Sequence, residues 1–317
     1  MKYLLTLIHL PLARLSFSNF TNLLKLPNLY NLPNLNNLPN LGSLWMLVAA
    51  VGFAIMGALV KLGAQKFSSA ELVFYRSLFG LLIIGFYIFS KRLPVATPVL
   101  FKQMSRALLG LGALLLFFYA IAHLPLATAI TLNYTSPLFL ALFTPLLLHE
   151  KPKKTLYVGL GIGFIGIILL LEPNFSRQDW LASCLGLLSG IGAALAYVHV
   201  KQLGRVNEPD WRTVFYFTLV GTIGAAVWML FDHFHALIWQ DLPLLLGIGL
   251  SATIAQLAMT RAYRTGDTMV VASLAYVTVI LASLLGVIWW QEHLSLTAYL
   301  AIGLIIISGM ISVRSTR

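Results

Sequence analysis

The sequence predicts an all-α polytopic membrane protein with ten transmembrane helices, arranged as two inverted repeats of five helices each. Three observations lead to this prediction. Hydrophobic residues make up 59% of the 317 positions and charged residues only 10%, whereas about a quarter of a soluble globular chain is charged. Long apolar runs recur along the whole chain, and the second half repeats a pattern of the first.

The apolar runs are long enough to cross a membrane as helices, since about 20 residues span a hydrocarbon core of roughly 30 Å. They are apolar at odd and even positions alike, which favours helices over membrane strands of alternating polarity. Tryptophans such as Trp45, Trp180 and Trp239 lie near their ends, at the headgroup level that the indole ring prefers. The runs lie near residues 44–64, 70–89, 103–122, 127–149, 155–171, 180–200, 211–231, 242–262, 268–291 and 296–313.

The excess of basic residues predicts orientation in a lipid bilayer and no nucleic-acid partner. The chain has 21 Lys and Arg against 10 Asp and Glu, and cytoplasmic loops of membrane proteins are rich in Lys and Arg. With the N-terminus inside, most of the basic residues, Arg106 among them, fall on the cytoplasmic side. We therefore expect a multi-pass protein with both termini in the cytoplasm.

The first 43 residues are predicted to be a low-complexity extension. Residues 26–43 read LPNLYN, LPNLNN and LPNLGS, and the proline in each hexad removes a helix donor. The apolar stretch before them is interrupted by Pro11 and lacks the small-residue cleavage site of a signal peptide. An alternative interpretation is that translation begins at Met46, in which case the extension is not translated.

The two halves of the remaining chain are similar in sequence. A shift of 142 residues pairs Tyr134 with Tyr276, and FYRSLFG at 74–80 corresponds to FYFTLVG at 215–221. Because five is an odd number, the second unit enters the membrane from the opposite side, so a pseudo-two-fold axis in the membrane plane relates the halves. Such inverted repeats are characteristic of secondary transporters. The predicted domains are the extension at 1–43, a first repeat at 44–172 and a second repeat at 180–313.

Three longer stretches carry a family resemblance. They read FAIMGALVKLGAQKFSSAELVFYRSLFG at 53–80, YAIAHLPLATAITLNYTSPLFLALFTPLLLHEKP at 119–152 and RAYRTGDTMVVASLAYVTVILASLLGVIWWQEHLS at 261–295. Together they resemble the EamA family of the drug/metabolite transporter superfamily, over about residues 44–313. The resemblance implies ten helices, a central cavity lined by both halves, and transport of small metabolites across the inner membrane of a bacterium.

Two basic residues lie inside predicted spans toward their outer ends, where ionisable groups are functional candidates by default. Lys61 lies about one turn from the end of the first span, so its stem could also reach the interface. Arg76 lies deeper, some six residues inside the second span. We expect Arg76 to face the cavity and to pair with Glu71 or with a substrate carboxylate or phosphate, and a purely structural ion pair is the competing interpretation.

Polar residues in the fourth and ninth spans predict a substrate wall. Thr131, Tyr134 and Thr135 share one helix face by their spacing, ahead of a proline at 137 that bends the helix. Their counterparts Ser273 and Tyr276 would confront them across the pseudo-two-fold axis. The alternative is that these side chains only bond neighbouring helices together. Gln256 in span eight is a further candidate for the substrate site, with Tyr119, Tyr197 and His199 as weaker ones.

Two short motifs have structural explanations. GIGFIG at 161–166 matches a dinucleotide-binding fingerprint, but it lies within an apolar span without the preceding strand that the motif requires. Small residues such as Gly159 and Gly163, or Gly186 and Gly190, instead permit close helix packing. The pair His233 and His235 is too small a group for a metal site, so no metal or cofactor is expected.

A carrier of a small-molecule substrate is the leading functional prediction, with export of amino acids or related compounds first and uptake of a nutrient such as a nucleoside, vitamin or S-adenosylmethionine second. A membrane enzyme would gather acids, histidines or serines at one membrane face, and no such cluster is evident. A scaffold is the third class. All ten acids lie in loops or near span ends, which favours facilitated or exchange transport, or proton coupling through a group such as His199. The protein is expected to be a monomer or homodimer.

Overall fold

The computed structural model describes residues 41–124, 126–171, 180–231, 235–290 and 296–315, and every regular element in this part of the chain is helical. The predicted extension lies outside the described residues except for its last few positions, which begin the first helix. The first half comprises α1 (Leu41–Gly63), α2 (Ser69–Lys91), α3 (Leu100–His123), α4a (Leu126–Asn133), α4b (Ser136–Phe143) with a π-helical turn at Thr144–Leu148, and α5 (Lys154–Leu171).

The second half follows the same order. It comprises α6 (Trp180–Arg205), α7 (Asp210–Met229), α8 (Leu242–Thr265) after a short 3₁₀ turn at Trp239–Asp241, α9a (Thr268–Ala275), α9b (Val277–Trp290) and α10 (Leu296–Ser315). Within the described residues, eight helices are long and apolar enough to span a membrane, and the apolar parts of α5 and α10 are shorter. The prediction of an all-α protein with two five-helix repeats is confirmed.

Helix ends are marked by side chains that satisfy free backbone groups. Ser68 precedes α2, where its Oγ accepts a hydrogen bond from the Glu71 amide and its own amide donates to Glu71 Oε2 at 2.7 Å. Asp267 caps α9a by accepting from the amides of Met269 and Val270. Both residues place an acceptor at a helix N-terminus, which has free N–H donors.

The fourth and ninth spans are interrupted at equivalent positions, whereas the sequence predicted a bend in the fourth span alone. In the fourth span the break lies at Tyr134 and Thr135, before the proline. Pro137 has no N–H to donate to the carbonyl four residues earlier, and the Thr135 hydroxyl donates to the Leu132 carbonyl at 2.6 Å. The ninth span breaks at Tyr276 without a proline. The two breaks follow the repeat rather than the proline alone.

The packing of helices has the symmetry expected of inverted halves. Helix α1 packs along α8, and α3 packs along α6. Exchanging the halves turns the first of these pairs into the second, because α1 corresponds to α6 and α3 to α8. Helix α2 packs along α7, and α5 packs along α10; exchanging the halves leaves each of these two pairs unchanged. This pattern is what a pseudo-two-fold axis between the halves requires.

Glycines allow the close helix contacts that the sequence predicted. A Cβ atom at Gly163 of α5 would lie 2.5 Å from Ser308 Oγ and 2.6 Å from the Tyr276 ring. A Cβ atom at Gly186 of α6 would lie 3.0 Å from the Leu132 side chain. Large apolar side chains such as Phe101 instead stand on the outer surface, where lipid would cover them. The GIGFIG motif is therefore part of a helix contact surface.

Candidate functional site

A cavity of about 110 Å³ lies where the two halves meet. This volume holds several water molecules, and it is small beside the 300–1,000 Å³ of typical ligand sites. Its walls come from α1 to α4 in the first half and from α6 to α9 in the second, whereas no described residue of α5 or α10 lines it. The polar lining residues are Arg76, Arg106, Asn133, Tyr134, Tyr197, Gln256 and Thr278.

Two arginines form the charged part of the cavity. Arg76 and Arg106 are 3% and 2% exposed. Arg76 Nη2 donates to Gln256 Oε1 at 3.4 Å. Both guanidinium groups lie over the same aromatic ring, that of Phe217, with Cζ atoms 5.2 Å from its centre for Arg76 and 4.0 Å for Arg106. The cavity thus holds two positive charges around one phenyl ring.

Neither arginine has an acidic partner among the described residues. The salt bridges in this part of the chain involve other side chains, and Arg76 Nε, Arg106 Nε and Arg106 Nη1 have no hydrogen-bond acceptor. The predicted pairing of Arg76 with Glu71 is wrong, because Glu71 instead accepts from the amide and Nδ1 of His235. Buried charges are normally paired or hydrogen-bonded because desolvation penalises them strongly.

The position of Arg106 corrects the sequence interpretation, which counted it among the orienting charges of the cytoplasmic side. It lies nearly two turns inside α3, and its side chain turns into the protein. Gly110, one turn further on, makes room for it: a Cβ there would lie 2.8 Å from Arg106 Nη1 and 2.9 Å from the Phe217 ring. An arginine four residues before a glycine, inside an apolar run, was the signal available in the sequence.

Neutral polar groups line the cavity beside the arginines. Tyr134 sits at the break of the fourth span, and Asn133 Nδ2 donates to Ser189 Oγ at 2.9 Å. Tyr197 also reaches the cavity, and its ring stacks on that of Tyr263 with centroids 4.9 Å apart. The structure therefore places Arg76, Tyr134 and Gln256 of the predicted site at one cavity, and their contact with a substrate stays a prediction.

The other predicted site residues lie away from this cavity. Lys61 Nζ donates to the carbonyls of Ile121 and Leu124 at 3.4 and 3.3 Å, so it ties the end of α1 to the end of α3. Thr131 and Thr135 are buried, and Thr135 packs against α6 at Gly190.

Their counterparts in the ninth span also point elsewhere. Ser273 Oγ donates to the Met269 carbonyl and accepts from Ser312 Oγ at 2.7 Å, toward α10. Tyr276 is fully buried against Gly163 of α5. The predicted placement of Ser273 and Tyr276 opposite the fourth span is therefore wrong. Of the predicted wall only Tyr134 lines the cavity, and the ninth span contributes Thr278 to it instead.

Polar contacts join the two halves at both ends of the bundle. At the end that carries the α1–α2 loop, Lys66 pairs with Asp241, and Glu71 pairs with His235 at 2.8 Å. We call this set the outer contacts.

At the other end, Glu208 accepts from Thr97 and Gln103 at 2.8 and 3.0 Å, and Arg205 pairs with Glu150 at 2.8 Å. We call this set the inner contacts. Glu150 and Arg205 are both partly exposed, and their ion pair joins the two halves.

These features define a class: a helical membrane protein of two inverted five-helix repeats with a polar cavity between them. Residues 40–172 and 180–314 each match the EamA-like transporter family. The chain belongs to this family, within the drug/metabolite transporter superfamily.

Relatives of known name agree with this membership. A pseudopaline exporter from Pseudomonas aeruginosa is 32% identical over 251 residues, 78% of this chain and 86% of that protein. A riboflavin transporter from Rhizobium johnstonii is 27% identical over 230 residues, 71% of this chain and 75% of that protein. A crystal structure superposes with a TM-score of 0.76 over 88% of this chain and 100% of its own, at 18% identity, which shows the fold alone.

Proposed function

We propose that this protein is a secondary transporter that exports amino acids or related small metabolites across the cytoplasmic membrane by alternating access. One observation carries the proposal: the walls of the central cavity come from four helices of each half. A site built between two inverted repeats changes its accessible side when one half rocks against the other. A cavity inside a single half would lack this property.

The outer and inner contacts are the interactions that such a motion would break alternately. The outer contacts join the α1–α2 loop and the start of α2 to the segment before α8. The inner contacts join the α2–α3 loop, the start of α3 and the α4–α5 loop to the end of α6 and the α6–α7 loop. Rocking opens one end by separating its set while the other set stays closed. The fourth span is broken beside the cavity, and the ninth span is broken at the equivalent place. Each half therefore has a site where one of its helices can bend.

Export is the first choice of direction because one of the relatives with a known name is an exporter. Uptake of a nutrient such as a nucleoside, vitamin or S-adenosylmethionine is the alternative, and the riboflavin transporter among the relatives supports it. The excess of basic residues at the inner end supports a cytoplasmic position for the inner contacts and for both termini. A monomer or homodimer in the inner membrane is consistent with these assignments.

The buried acids of the described chain support exchange or facilitated transport. Glu71 and Glu208 are 0% and 5% exposed, but each lies near a helix end and is held by several hydrogen bonds. His199 bonds Ser105 Oγ and the Leu195 carbonyl and does not line the cavity. A proton-coupled carrier usually exposes a titratable acid to its substrate pathway.

Counterflow by purified protein in liposomes tests the proposal. Vesicles loaded with one metabolite at high concentration are given a trace of the same labelled metabolite outside, over a panel of amino acids, nucleosides and vitamins at two pH values. We expect transient accumulation of one chemical group of metabolites, at similar rates at both pH values. Accumulation of none of them, or dependence on a pH gradient that an acid substitution abolishes, would contradict the proposal.

Two variants of α6 make matched controls. Ala193→Phe adds a ring to the cavity wall, whereas Leu187→Phe adds one on the outer surface of the same helix. The first should abolish counterflow and the second should retain it. Equal rates in both would show that the solute passes elsewhere.

A further inference from the structure

We propose that Arg76 and Arg106 form a binding site for a dianionic group, so that the transported compound is a small metabolite carrying two acidic charges at one end. The transport part of this statement rests on the proposed function, and the binding part does not. Two acidic charges here means a pair of carboxylates or one phosphate, which present the same oxygen acceptors to a guanidinium.

The first step is charge. Arginine stays protonated in proteins, so the two side chains bring two positive charges into the cavity. No acid among the described residues neutralises them. The Cζ atoms are at most about 9 Å apart, because they lie 5.2 and 4.0 Å from the same ring centre. Two cations held this close without a partner favour an occupant with two negative charges.

The second step is hydrogen bonding. Arg106 Nε and Nη1 and Arg76 Nε are buried donors without an acceptor. A guanidinium lying over an aromatic face keeps its N–H groups at its edge, where they remain free to bind oxygen. The Phe217 ring therefore holds both cations while leaving their donors for a ligand. Carboxylate and phosphate oxygens match this geometry because they accept two parallel N–H bonds.

The third step is the rest of the cavity, which carries no charge to match a second ionic end of the substrate. Asn133, Tyr134 and Thr278 offer neutral donors and acceptors, and Phe53 and Met259 offer apolar surface. A zwitterion with its two charges far apart would leave its ammonium group without a partner here. The favoured ligand is acidic at one end, with a neutral polar or apolar body.

A purely structural role for the arginines is the competing explanation. In that case the guanidinium groups pack on Phe217 and bind no ligand, and substitutions change stability alone. The two explanations differ in what added anions do to the folded protein, because a ligand that binds only the native state raises its stability in proportion to occupancy.

Thermal unfolding of the full-length protein in detergent, with the probe added in solution, separates them. The dianions are malonate, succinate, glutarate and inorganic phosphate, the matched neutral compounds are malonamide, succinamide and glutaramide, and the cation is 1,4-diaminobutane. We expect at least one dianion to raise the melting temperature, and its neutral analogue and the diamine to have no effect.

Variants assign the effect to the site. Arg76→Gln and Arg106→Gln should each weaken the apparent affinity for the dianion at least tenfold, because each removes charged hydrogen bonds worth about 1.5–3 kcal/mol. Lys102→Gln removes the same charge from an exposed position on α3, one turn before Arg106, and should retain the wild-type affinity. All three variants are compared at matched yield and with a monodisperse profile on gel filtration.

The outcomes distinguish the inference from the proposed function. Stabilisation by neutral or cationic compounds, by no dianion, or equally in all variants would overturn the dianion site. Counterflow of a neutral or cationic metabolite, unchanged in Arg106→Gln, would also overturn it and would leave the transporter assignment intact. Dianion binding in detergent without counterflow of any metabolite would support the site and refute the transport function.

Discussion

Replacing Arg106 with methionine is expected to make the ligand-free protein more stable. Methionine has a flexible apolar side chain that can fill part of the space beside Phe217. At a separation of at most about 9 Å and an effective dielectric constant of about 20, the two arginines repel each other by at least about 2 kcal/mol. Removing one charge relieves this repulsion and the desolvation of a buried cation, which amounts to several kcal/mol.

Part of this gain is offset because the contact between Arg106 and the Phe217 ring is lost. A desolvated cation–π contact contributes about 2 kcal/mol. The net expectation is a free energy of unfolding higher by about 2 kcal/mol or more, together with loss of transport. A binding site that is strained without its ligand commonly shows such a trade between stability and activity.

The measurement is thermal unfolding in detergent, in a buffer that contains only monovalent anions. Lys102→Met on the same helix is the matched control, and it should change the stability by less than about 0.5 kcal/mol because the side chain is exposed. Added dianion should stabilise the wild type and have no effect on Arg106→Met. A melting temperature that falls in Arg106→Met but not in the control would refute the reasoning, since it would mean that the cation is already compensated inside the protein.

Three further predictions concern packing, the cavity wall and the outer contacts. Gly163→Ala should lower the free energy of unfolding by about 1–3 kcal/mol because the methyl group would overlap its neighbours. Gly161 faces open space, so Gly161→Ala should raise the free energy of unfolding by about 0.5–1 kcal/mol. Equal effects of the two substitutions in denaturant unfolding would contradict this prediction. Tyr134→Ala should change the order in which metabolites are preferred in counterflow. Tyr276→Ala should keep that order but lower the free energy of unfolding by about 3–5 kcal/mol. A changed order in Tyr276→Ala alone would show that Tyr276, and not Tyr134, contacts the substrate. Glu71→Gln should lower the stability by about 2 kcal/mol, measured by thermal unfolding, because charge-assisted bonds to the second half are weakened; unchanged stability would show that the outer contacts are dispensable.

The spans and the repeat were predictable because membrane helices satisfy their backbone hydrogen bonds locally, so that hydropathy alone locates them. Positions of equivalent helices follow from the internal repeat. The breaks were only half predictable: a proline marks the fourth span, but the ninth breaks at Tyr276 without one. The sequence indicates that break only through the equivalence of the ninth span to the fourth.

The direction in which each side chain points, toward lipid or toward the protein interior, was less predictable. In a helix that is apolar on every side, the residues that face lipid and those that face the protein look alike in sequence. Tyr134 and Tyr276 are equivalent in the repeat, yet the first lines the cavity and the second packs against α5. Arg106 was misassigned because it lies in the first turn of the predicted span at 103–122, whereas α3 begins at Leu100 and carries it nearly two turns inside the helix.

Thiol labelling at two equivalent sites tests the inverted arrangement of the halves. Leu100 begins α3, and Gln240 lies just before α8, the counterpart of α3 in the second half; both are exposed. Each is replaced by cysteine in a Cys184→Ser background, which removes the native cysteine. A membrane-impermeant reagent should label Gln240→Cys in intact cells and Leu100→Cys only after the membrane is opened. Labelling of both sites from the same side would contradict the inverted repeats and the alternating-access mechanism that depends on them.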